Sequence, residues 1–383
     1  MALDIRQLLK VMVDRDASDV YLTVDLPANY RVQGTIQPIG DEIVTNENLE
    51  ALALAIMRDR QRKEFEETME MNLALYYPDL GRFRVNVFRQ RGNVGIVIRQ
   101  IKVEILPIEK LGLPPILKDI AMTKRGLALF VGATGSGKST SLAAMIDYRN
   151  ERGPGHIISV EDPIEFVHRH KKSLVTQREV GFDTHSYEAA LKNTLRQAPD
   201  VILIGEIRDK ETMEAAITFA ETGHLCLSTL HANNANQAIE RIMNFFQPER
   251  HQQIYLQLSL NLRAIVSQRL IPSLDGKRVA ACEVLMDTPR AKDLIKKGQI
   301  DLLKESMEQG VQEGSQTFDM VLFELYKSGK ISLEQALINA DSANNLRLKI
   351  KLAGLKTDDD VVAPDQSGAA KPRGLQIKGG ARF

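Results

Sequence analysis

The sequence predicts an α/β protein with a small N-terminal α/β part, a larger part built on a parallel sheet, and a helical C-terminal region. Two observations lead to this fold class. From about residue 113 onward, short apolar strands alternate with helical stretches, a pattern typical of a parallel sheet covered by helices on both faces. In addition, residues 132–139 fit G-x-x-x-x-G-K-[ST], a phosphate-binding loop, between an apolar strand and a helical pattern.

Composition limits the class of protein. The 383 residues contain 50 Lys plus Arg and 50 Asp plus Glu, so no net charge favours binding to bulk nucleic acid. No apolar run approaches the ~18 residues that cross a bilayer, and the N-terminus does not look like a signal peptide. Cys226 and Cys282 lie in apolar contexts and are predicted to be reduced core residues. We therefore expect a soluble, cytosolic protein without membrane insertion and without a nucleic-acid partner.

Residues 1–101 are predicted to form the first domain. Apolar residues at 5, 8, 9 and 12 have helical spacing, residues 20–24 read as a strand, and residues 48–65 read as a helix. Residues 82–87 alternate in polarity, and a turn at 91–93 leads into a returning strand at 95–101. This hairpin is rich in arginine, and the pattern alone favours a solvated sheet face for these residues: Arg82, Arg84, Arg89, Arg91 and Arg99.

A proline-containing linker, residues 102–115, separates this domain from the larger one. Residues 116–355 are predicted to hold strands at 127–131, 157–160, 201–204 and 225–228, with a mostly helical region from about 245. Residues 356–383 show no apolar period and are predicted to be disordered. This tail is either a tether for another protein or only a solvated end.

The phosphate loop carries the first chemical prediction. Its glycines let the backbone approach a polyphosphate at a helix N-terminus, where negative charge is favoured. Lys138 would reach the β- and γ-phosphates, and the hydroxyl of Ser139 would hold Mg²⁺. The alternative is a Gly/Ser-rich turn with a surface lysine. The predicted binding residues are Gly132, Ala133, Thr134, Gly135, Ser136, Gly137, Lys138, Ser139 and Thr140.

Two groups of carboxylates follow predicted strands. Glu206 comes directly after the strand at 201–204, where a hydrolase needs a carboxylate near Mg²⁺ and the attacking water. An acidic box with Glu161, Asp162 and Glu165 follows the strand at 157–160, and parallel-strand ends of this kind line the ligand crevice. The alternatives are an ordinary exposed glutamate at 206 and a turn built on Asp162 and Pro163.

Two histidines, His224 and His231, flank a short apolar strand. They lack cysteine or carboxylate partners at a spacing useful for zinc, which argues against a zinc site. As neutral side chains they could instead report the state of the phosphates to the rest of the domain.

These motifs, taken in their order along the chain, resemble the secretion ATPase superfamily, the hexameric motors of type IV pili and of type II and type IV secretion. The order is the phosphate loop, the acidic box, the strand end Leu203-Ile204-Gly205-Glu206, and the two histidine motifs. The resemblance covers roughly residues 1–355 and is closest to the branch that retracts type IV pili. It implies an N-terminal PAS-like domain, followed by a RecA-like P-loop ATPase domain with a helical C-terminal part.

The resemblance also implies roles and partners. ATP would be the fuel and Mg²⁺ the cofactor, with Glu165 as general base and Glu206 as the second essential carboxylate. Arg84 and Arg99 match arginines that approach the nucleotide phosphates, which reverses the solvated-face interpretation. Members of the superfamily work as ring hexamers on an inner-membrane platform protein, from the cytoplasmic side.

Two features depart from the principal retraction ATPases. Their Ala-Ile-Arg-Asn-Leu-Ile signature is replaced here by Arg290-Ala291-Lys292-Asp293-Leu294-Ile295, and the tail beyond residue 355 is longer. Both features fit an accessory retraction motor that works beside a principal retraction ATPase. The alternatives are an ATP-binding coupling subunit with little hydrolysis of its own, or an ATPase for type II secretion or DNA uptake.

Overall fold

The computed structural model describes residues 3–101 and 104–355, so the predicted disordered tail lies outside the described residues. By their internal contacts the residues form two units, one of 1–270 with 279–317, and one of 271–278 with the chain from Phe318 onward. Two β-sheets with separate hydrophobic cores make up most of the larger unit. The domain boundaries drawn from the sequence at 101, 115 and 355 stay predictions.

The first sheet has six antiparallel strands in the order β3-β2-β1-β6-β5-β4. Its apolar face and the apolar sides of three helices form one core, which includes Leu9, Leu49, Phe65 and Phe83. The elements are α1 (Ile5–Asp14), β1 (Ala17–Leu22), β2 (Asn29–Val32), β3 (Thr35–Pro38), α2 (Asn46–Ile56), α3 (Asp59–Thr68), β4 (Glu70–Tyr77), β5 (Gly81–Gln90) and β6 (Asn93–Ile101). The single helix predicted over 48–65 is therefore two helices.

The predicted arginine-rich hairpin is β5 and β6. Arg91 and Gly92 both have positive φ, 50° and 80°, as a two-residue type I′ turn requires. Phe83, Val85 and Val87 are buried, so the alternating Arg82 and Arg84 lie on the opposite face of the sheet.

The second sheet has seven strands in the order β13-β12-β7-β11-β10-β8-β9, and the strands from β12 to β9 are parallel. Successive residues of β7 belong to two different cores, one on each face. The elements are α4 (Ile116–Met122), β7 (Gly126–Val131), α5 (Lys138–Arg152), β8 (Gly155–Glu161), β9 (Ser173–Glu179), α6 (Tyr187–Thr194), β10 (Val201–Ile204), α7 (Lys210–Glu221), β11 (Leu225–Leu230), α8 (Ala235–Met243), α9 (His251–Asn261), β12 (Leu262–Pro272), β13 (Arg278–Met286), α10 (Pro289–Lys296) and α11 (Leu303–Gln309).

Strands β12 and β13 lie in a region that the sequence pattern had predicted to be mostly helical. Their apolar residues sit between amphipathic helices, and β12 becomes a strand by pairing with β7, far away in the sequence. The cysteine prediction is confirmed, because Cys226 and Cys282 are buried and unpaired. Burial raises the pKa of the Cys226 thiol and raises that of Cys282 to about 12.

The smaller unit contains three helices and the segment 271–278, which is tied to them by the hydrogen bond from Leu274 N to Lys330 O, 2.9 Å. Its helices are α12 (Phe318–Lys327), α13 (Leu333–Ile338) and α14 (Ala343–Leu352). Over residues 3–101 and 104–355, no helix is long and apolar enough to cross a membrane.

Candidate nucleotide-binding site

The predicted motifs meet at one edge of the second sheet. Strands β7, β11, β10 and β8 are parallel neighbours, so their carboxyl ends lie side by side. The phosphate loop follows β7, His231 follows β11, Glu206 follows β10, and the acidic box begins at the end of β8. Ligand-binding groups often lie at this edge of a parallel sheet, because the loop that follows each strand begins there.

The side chain of Lys138 reaches back to the beginning of the phosphate loop. Its Nζ donates to Gly132 O at 2.8 Å and to Ala133 O at 2.9 Å. Burial lowers the pKa of Lys138, and the nearby carboxylates of Glu206 and Glu165 oppose that effect. The amine is thus anchored on the first two residues of the loop and faces the carboxylates of the neighbouring strand ends.

The loop has the shape that a polyphosphate needs. At Gly132 a Cβ would lie 2.5 Å from Gln268 O, and at Gly137, where φ is 89°, it would lie 2.8 Å from Gln268 Nε2. Ser136 Oγ is buried and has no hydrogen-bond partner among residues 3–101 and 104–355. Helix α5 begins without a side-chain cap, so its first N–H groups can donate to an anion. The residues present therefore fit a nucleotide phosphate.

Gln268 of β12 lies against Gly132 and Gly137 of the loop. Its Oε1 accepts a hydrogen bond from Ser141 Oγ at 2.7 Å. Gln268 is not among the site residues predicted from the sequence. No local signal marks it, because β12 reaches the loop only through the sheet.

Ser139 and Glu165 form a pair of oxygen groups beside the loop. Ser139 Oγ donates to Glu165 Oε1 at 3.0 Å. Hydroxyl and carboxylate oxygens are the ligands that Mg²⁺ prefers, usually together with waters and substrate phosphates. These side chains fit a magnesium ion that is shared with a bound nucleotide.

Glu206 is held by two side chains. Arg208 Nε donates to its Oε2 at 2.7 Å, and His231 Nε2 lies 3.2 Å from its Oε1. Arg208 also contacts Asp162 Oδ2 at 3.2 Å, and its hydrogen bond to Glu206 raises the pKa of the guanidinium. The strand end, one carboxylate of the acidic box and one histidine thus form a single network. The bridging role of Arg208 could not be predicted from the sequence, because it depends on the order of the strands.

Glu161, the first carboxylate of the acidic box, is held by side chains of β8 and β9. It accepts hydrogen bonds from Ser159 Oγ at 2.6 Å and from Gln177 Nε2 at 3.2 Å. Burial raises the pKa of Glu161 despite these two donors. Of the three predicted box carboxylates, Glu165 contacts the loop and Asp162 contacts Arg208, whereas Glu161 contacts Ser159 and Gln177.

The two predicted histidines are not neighbours. His231 lies at the carboxyl edge, whereas His224 precedes β11 at the opposite end, roughly 20 Å away along a strand. The Nδ1 of His224 lies 3.1 Å from Thr222 Oγ1 and 3.3 Å from Phe219 O, within the turn between α7 and β11. The structure therefore brings only His231 to the loop.

The predicted arginines lie on neighbouring strands. Arg84 and Arg99 are register partners in β5 and β6. Arg84 Nε lies 3.9 Å from Glu179 Oε1, at the end of β9, while Arg99 Nε donates to Asp19 Oδ1 at 2.7 Å. Within residues 3–101 and 104–355, the two arginines form ion pairs with these carboxylates, and their approach to the nucleotide phosphates stays a prediction.

Comparisons with known proteins agree with this geometry. The family model "Type II/IV secretion system protein" matches residues 2–335. The type IV pilus ATPase PilU of Pseudomonas aeruginosa is 54% identical over 359 residues, which cover 94% of each chain. The type IV pilus retractation ATPase PilT of the same organism is 42% identical over 343 residues, 90% of this chain and 100% of the relative.

Solved structures give the same result. A crystal structure of the pilus retraction motor PilT with bound ADP matches with a TM-score of 0.83 and 41% identity, over 89% of this chain and 98% of that one. The Legionella pneumophila ATPase DotB matches with a TM-score of 0.76 and 25% identity, over 92% of this chain and 96% of that one. These likenesses confirm the predicted fold class, an N-terminal α/β domain followed by a RecA-like ATPase domain.

Proposed function

Because the chain belongs to the type II/IV secretion system protein family and is a P-loop ATPase, we propose that it is a motor for type IV pilus retraction, accessory to a principal retraction ATPase. The observation that carries this proposal is the convergence of Lys138, Glu165, Glu206 and His231 at one sheet edge, in a chain that is 54% identical to a type IV pilus ATPase. The retraction activity is supported by the likeness to PilT.

The proposed accessory role is supported by the altered signature at 290–295. These residues lie in α10, where Ala291, Leu294 and Ile295 are buried. The charged residues form ion pairs with local partners, Arg290 with Glu305 at 3.2 Å and Lys292 with Asp287 at 2.8 Å. The departures from the principal retraction signature thus change the charged side of the helix, and on its packing side, which stays apolar, Ala291 replaces the larger isoleucine.

In the proposed reaction, ATP and water give ADP and inorganic phosphate. Lys138 holds the terminal phosphate, Glu165 accepts the proton of the attacking water, and Glu206 is the second essential carboxylate. Mg²⁺, held by Ser139, would neutralise charge on the phosphates. Arg84 and Arg99 would complete the site from the N-terminal sheet, so that hydrolysis depends on the position of that sheet.

We further propose a homo-hexameric ring on the cytoplasmic side of the inner membrane, with the pilus platform protein and a principal retraction ATPase as partners. Deletion of the gene should weaken pilus retraction and leave protein export intact, and the parent chain should restore retraction. Loss of export with normal retraction would contradict the proposal and favour a secretion ATPase. Co-purification with the principal retraction ATPase, with and without residues 356–383, tests the accessory role and the tail together.

The site itself is tested by two substitutions in the full chain. Lys138→Ala should abolish hydrolysis, because the terminal phosphate loses its positive partner. Glu206→Gln should keep binding of a fluorescent ATP analogue within about twofold, while turnover falls by about 10²–10³, as when one electrostatic group of an active site is removed. If the Glu206→Gln protein hydrolyses ATP like the parent, the role assigned to Glu206 is wrong.

A further inference from the structure

We propose that the cavity beside the first two residues of the phosphate loop is a binding site for inorganic phosphate, the product of hydrolysis. The cavity has a volume of about 330 Å³ and is lined by Gly132, Ala133, His231, Asn233, Gln237 and Arg241, together with Ala232. A water molecule occupies about 30 Å³ in the liquid, so the cavity has room for an oxyanion and part of its hydration shell. This inference rests on the nucleotide site proposed above.

The position of Lys138 relates the cavity to the reacting phosphate. The Nζ atom of Lys138 donates hydrogen bonds to the carbonyl oxygens of Gly132 and Ala133, and the same two residues form one wall of the cavity. The lysine of such a loop contacts the terminal phosphate of a bound nucleotide. The cavity therefore borders the two loop residues that hold this lysine, and departing phosphate would occupy it.

The opposite wall supplies exposed donors that have no protein acceptor within residues 3–101 and 104–355. Gln237 and Arg241 are four residues apart in α8 and share one face of that helix. Arg241 lies over the ring of Phe245 at 6.0 Å, and no carboxylate within residues 3–101 and 104–355 forms an ion pair with it. Gln237 Oε1 accepts from Asn233 N at 3.2 Å, which leaves the Nε2 group as a donor. A guanidinium and an amide N–H₂ together recognise an oxyanion such as phosphate.

His231 connects this cavity to the catalytic network. Its ring lines the cavity, and its Nε2 lies 3.2 Å from Glu206 Oε1. Phosphate bound beside this ring would change the electrostatic field at Glu206. Product that stays in the cavity would therefore slow the next turnover, and Arg241 would set how long it stays.

The experiment measures the inhibition of steady-state ATP hydrolysis by added inorganic phosphate. In the parent, phosphate should inhibit, and Arg241→Ala should raise its inhibition constant about tenfold, the loss expected for one charge-assisted hydrogen bond. Arg241→Lys keeps the charge without the fork and should give an intermediate value. Arg196→Ala is the matched control, because Arg196 is an exposed arginine near the opposite end of β10 and should leave the constant unchanged.

Gln237→Ala gives a second, independent variant in case Arg241→Ala does not fold. A parent that phosphate does not inhibit, or unchanged inhibition in both variants, would overturn the phosphate site. So would a loss of oligomer in Arg241→Ala with unchanged inhibition, because the arginine would then serve a contact between copies of the chain. Failure of the nucleotide site gives a different result, namely hydrolysis that survives Lys138→Ala.

Discussion

Glu161 shows how one carboxylate of an acidic cluster can serve the fold while its neighbours face the cleft. Its hydrogen bonds from Ser159 and Gln177 favour the ionised form, yet burial outweighs them and raises its pKa. Glu165, only four residues later, reaches Ser139 beside the loop. The two carboxylates are thus close in sequence but have different surroundings, Glu161 between β8 and β9 and Glu165 beside the phosphate loop.

The raised pKa of Glu161 predicts a pH-dependent stability. Between the ordinary glutamate pKa of about 4.3 and the raised native value, the folded chain binds more protons than the unfolded chain, so this group's stabilising contribution falls as pH rises. Glu161→Gln removes that titration. The free energy of unfolding of the variant, relative to the parent, should therefore increase with pH and level off above the native pKa.

Urea denaturation of both proteins from about pH 4 to about pH 8 measures this difference. Glu64→Gln, at an exposed position of α3, is a control for the change of charge alone. A difference between the Glu161→Gln protein and the parent that does not depend on pH would show that Glu161 is not desolvated as described.

At the scale of the secondary-structure elements, four charged residues form a row across the N-terminal sheet. Asp19 of β1 is paired in register with Arg31 of β2 and with Arg99 of β6, which is itself the partner of Arg84 in β5. Asp19 is buried, and it contacts Arg99 at 2.7 Å and Arg31 at 3.4 Å. Directly opposed like charges destabilise a sheet, so the attraction between Asp19 and Arg99 offsets the repulsion between Arg99 and Arg84.

This row predicts a stability effect for the arginine variants. Arg99→Ala should lower the free energy of unfolding by about 1–2 kcal/mol, because it removes one of the charged partners of a buried carboxylate. Arg6→Ala is the control, since its 2.6 Å pair with Asp79 is exposed and should be worth less than about 1 kcal/mol. Chemical denaturation measures both. Equal losses in the two variants would mean that the burial of Asp19 has no energetic consequence.

The elements also show what the sequence can and cannot predict. The loop, Glu165 and Glu206 could be found because each directly follows an apolar strand, and parallel-strand ends converge. Gln268 and Arg208 could not be assigned roles, because their contacts depend on which strands are neighbours. The same limit explains β12 and β13, whose pairing partners are distant in sequence. For His224 and His231 the pattern gave the flanking positions but not which end of β11 faces the nucleotide.

At the scale of the whole molecule, Glu179 is a contact point between the two sheets. It ends β9 beside Glu161 and lies 3.5 Å from Arg82 Nη2 and 3.9 Å from Arg84 Nε, both from the N-terminal hairpin. It also accepts a hydrogen bond from Ile164 N at 3.3 Å, within the acidic box. Since Glu179 is buried, these contacts are weakly screened by solvent.

If Arg84 approaches the nucleotide phosphates, as proposed, Glu179 competes with them for its guanidinium. Glu179→Gln should then lower the KM for ATP by about threefold to tenfold, since an interaction of about 1 kcal/mol with Arg84 is lost before nucleotide binds. Steady-state kinetics of the parent, Glu179→Gln, Arg84→Ala and the double variant measure the coupling. The effect of Glu179→Gln should disappear in the Arg84→Ala background. A change of equal size in both backgrounds would mean that Glu179 acts through Ile164 and the acidic box, and not by holding the arginine.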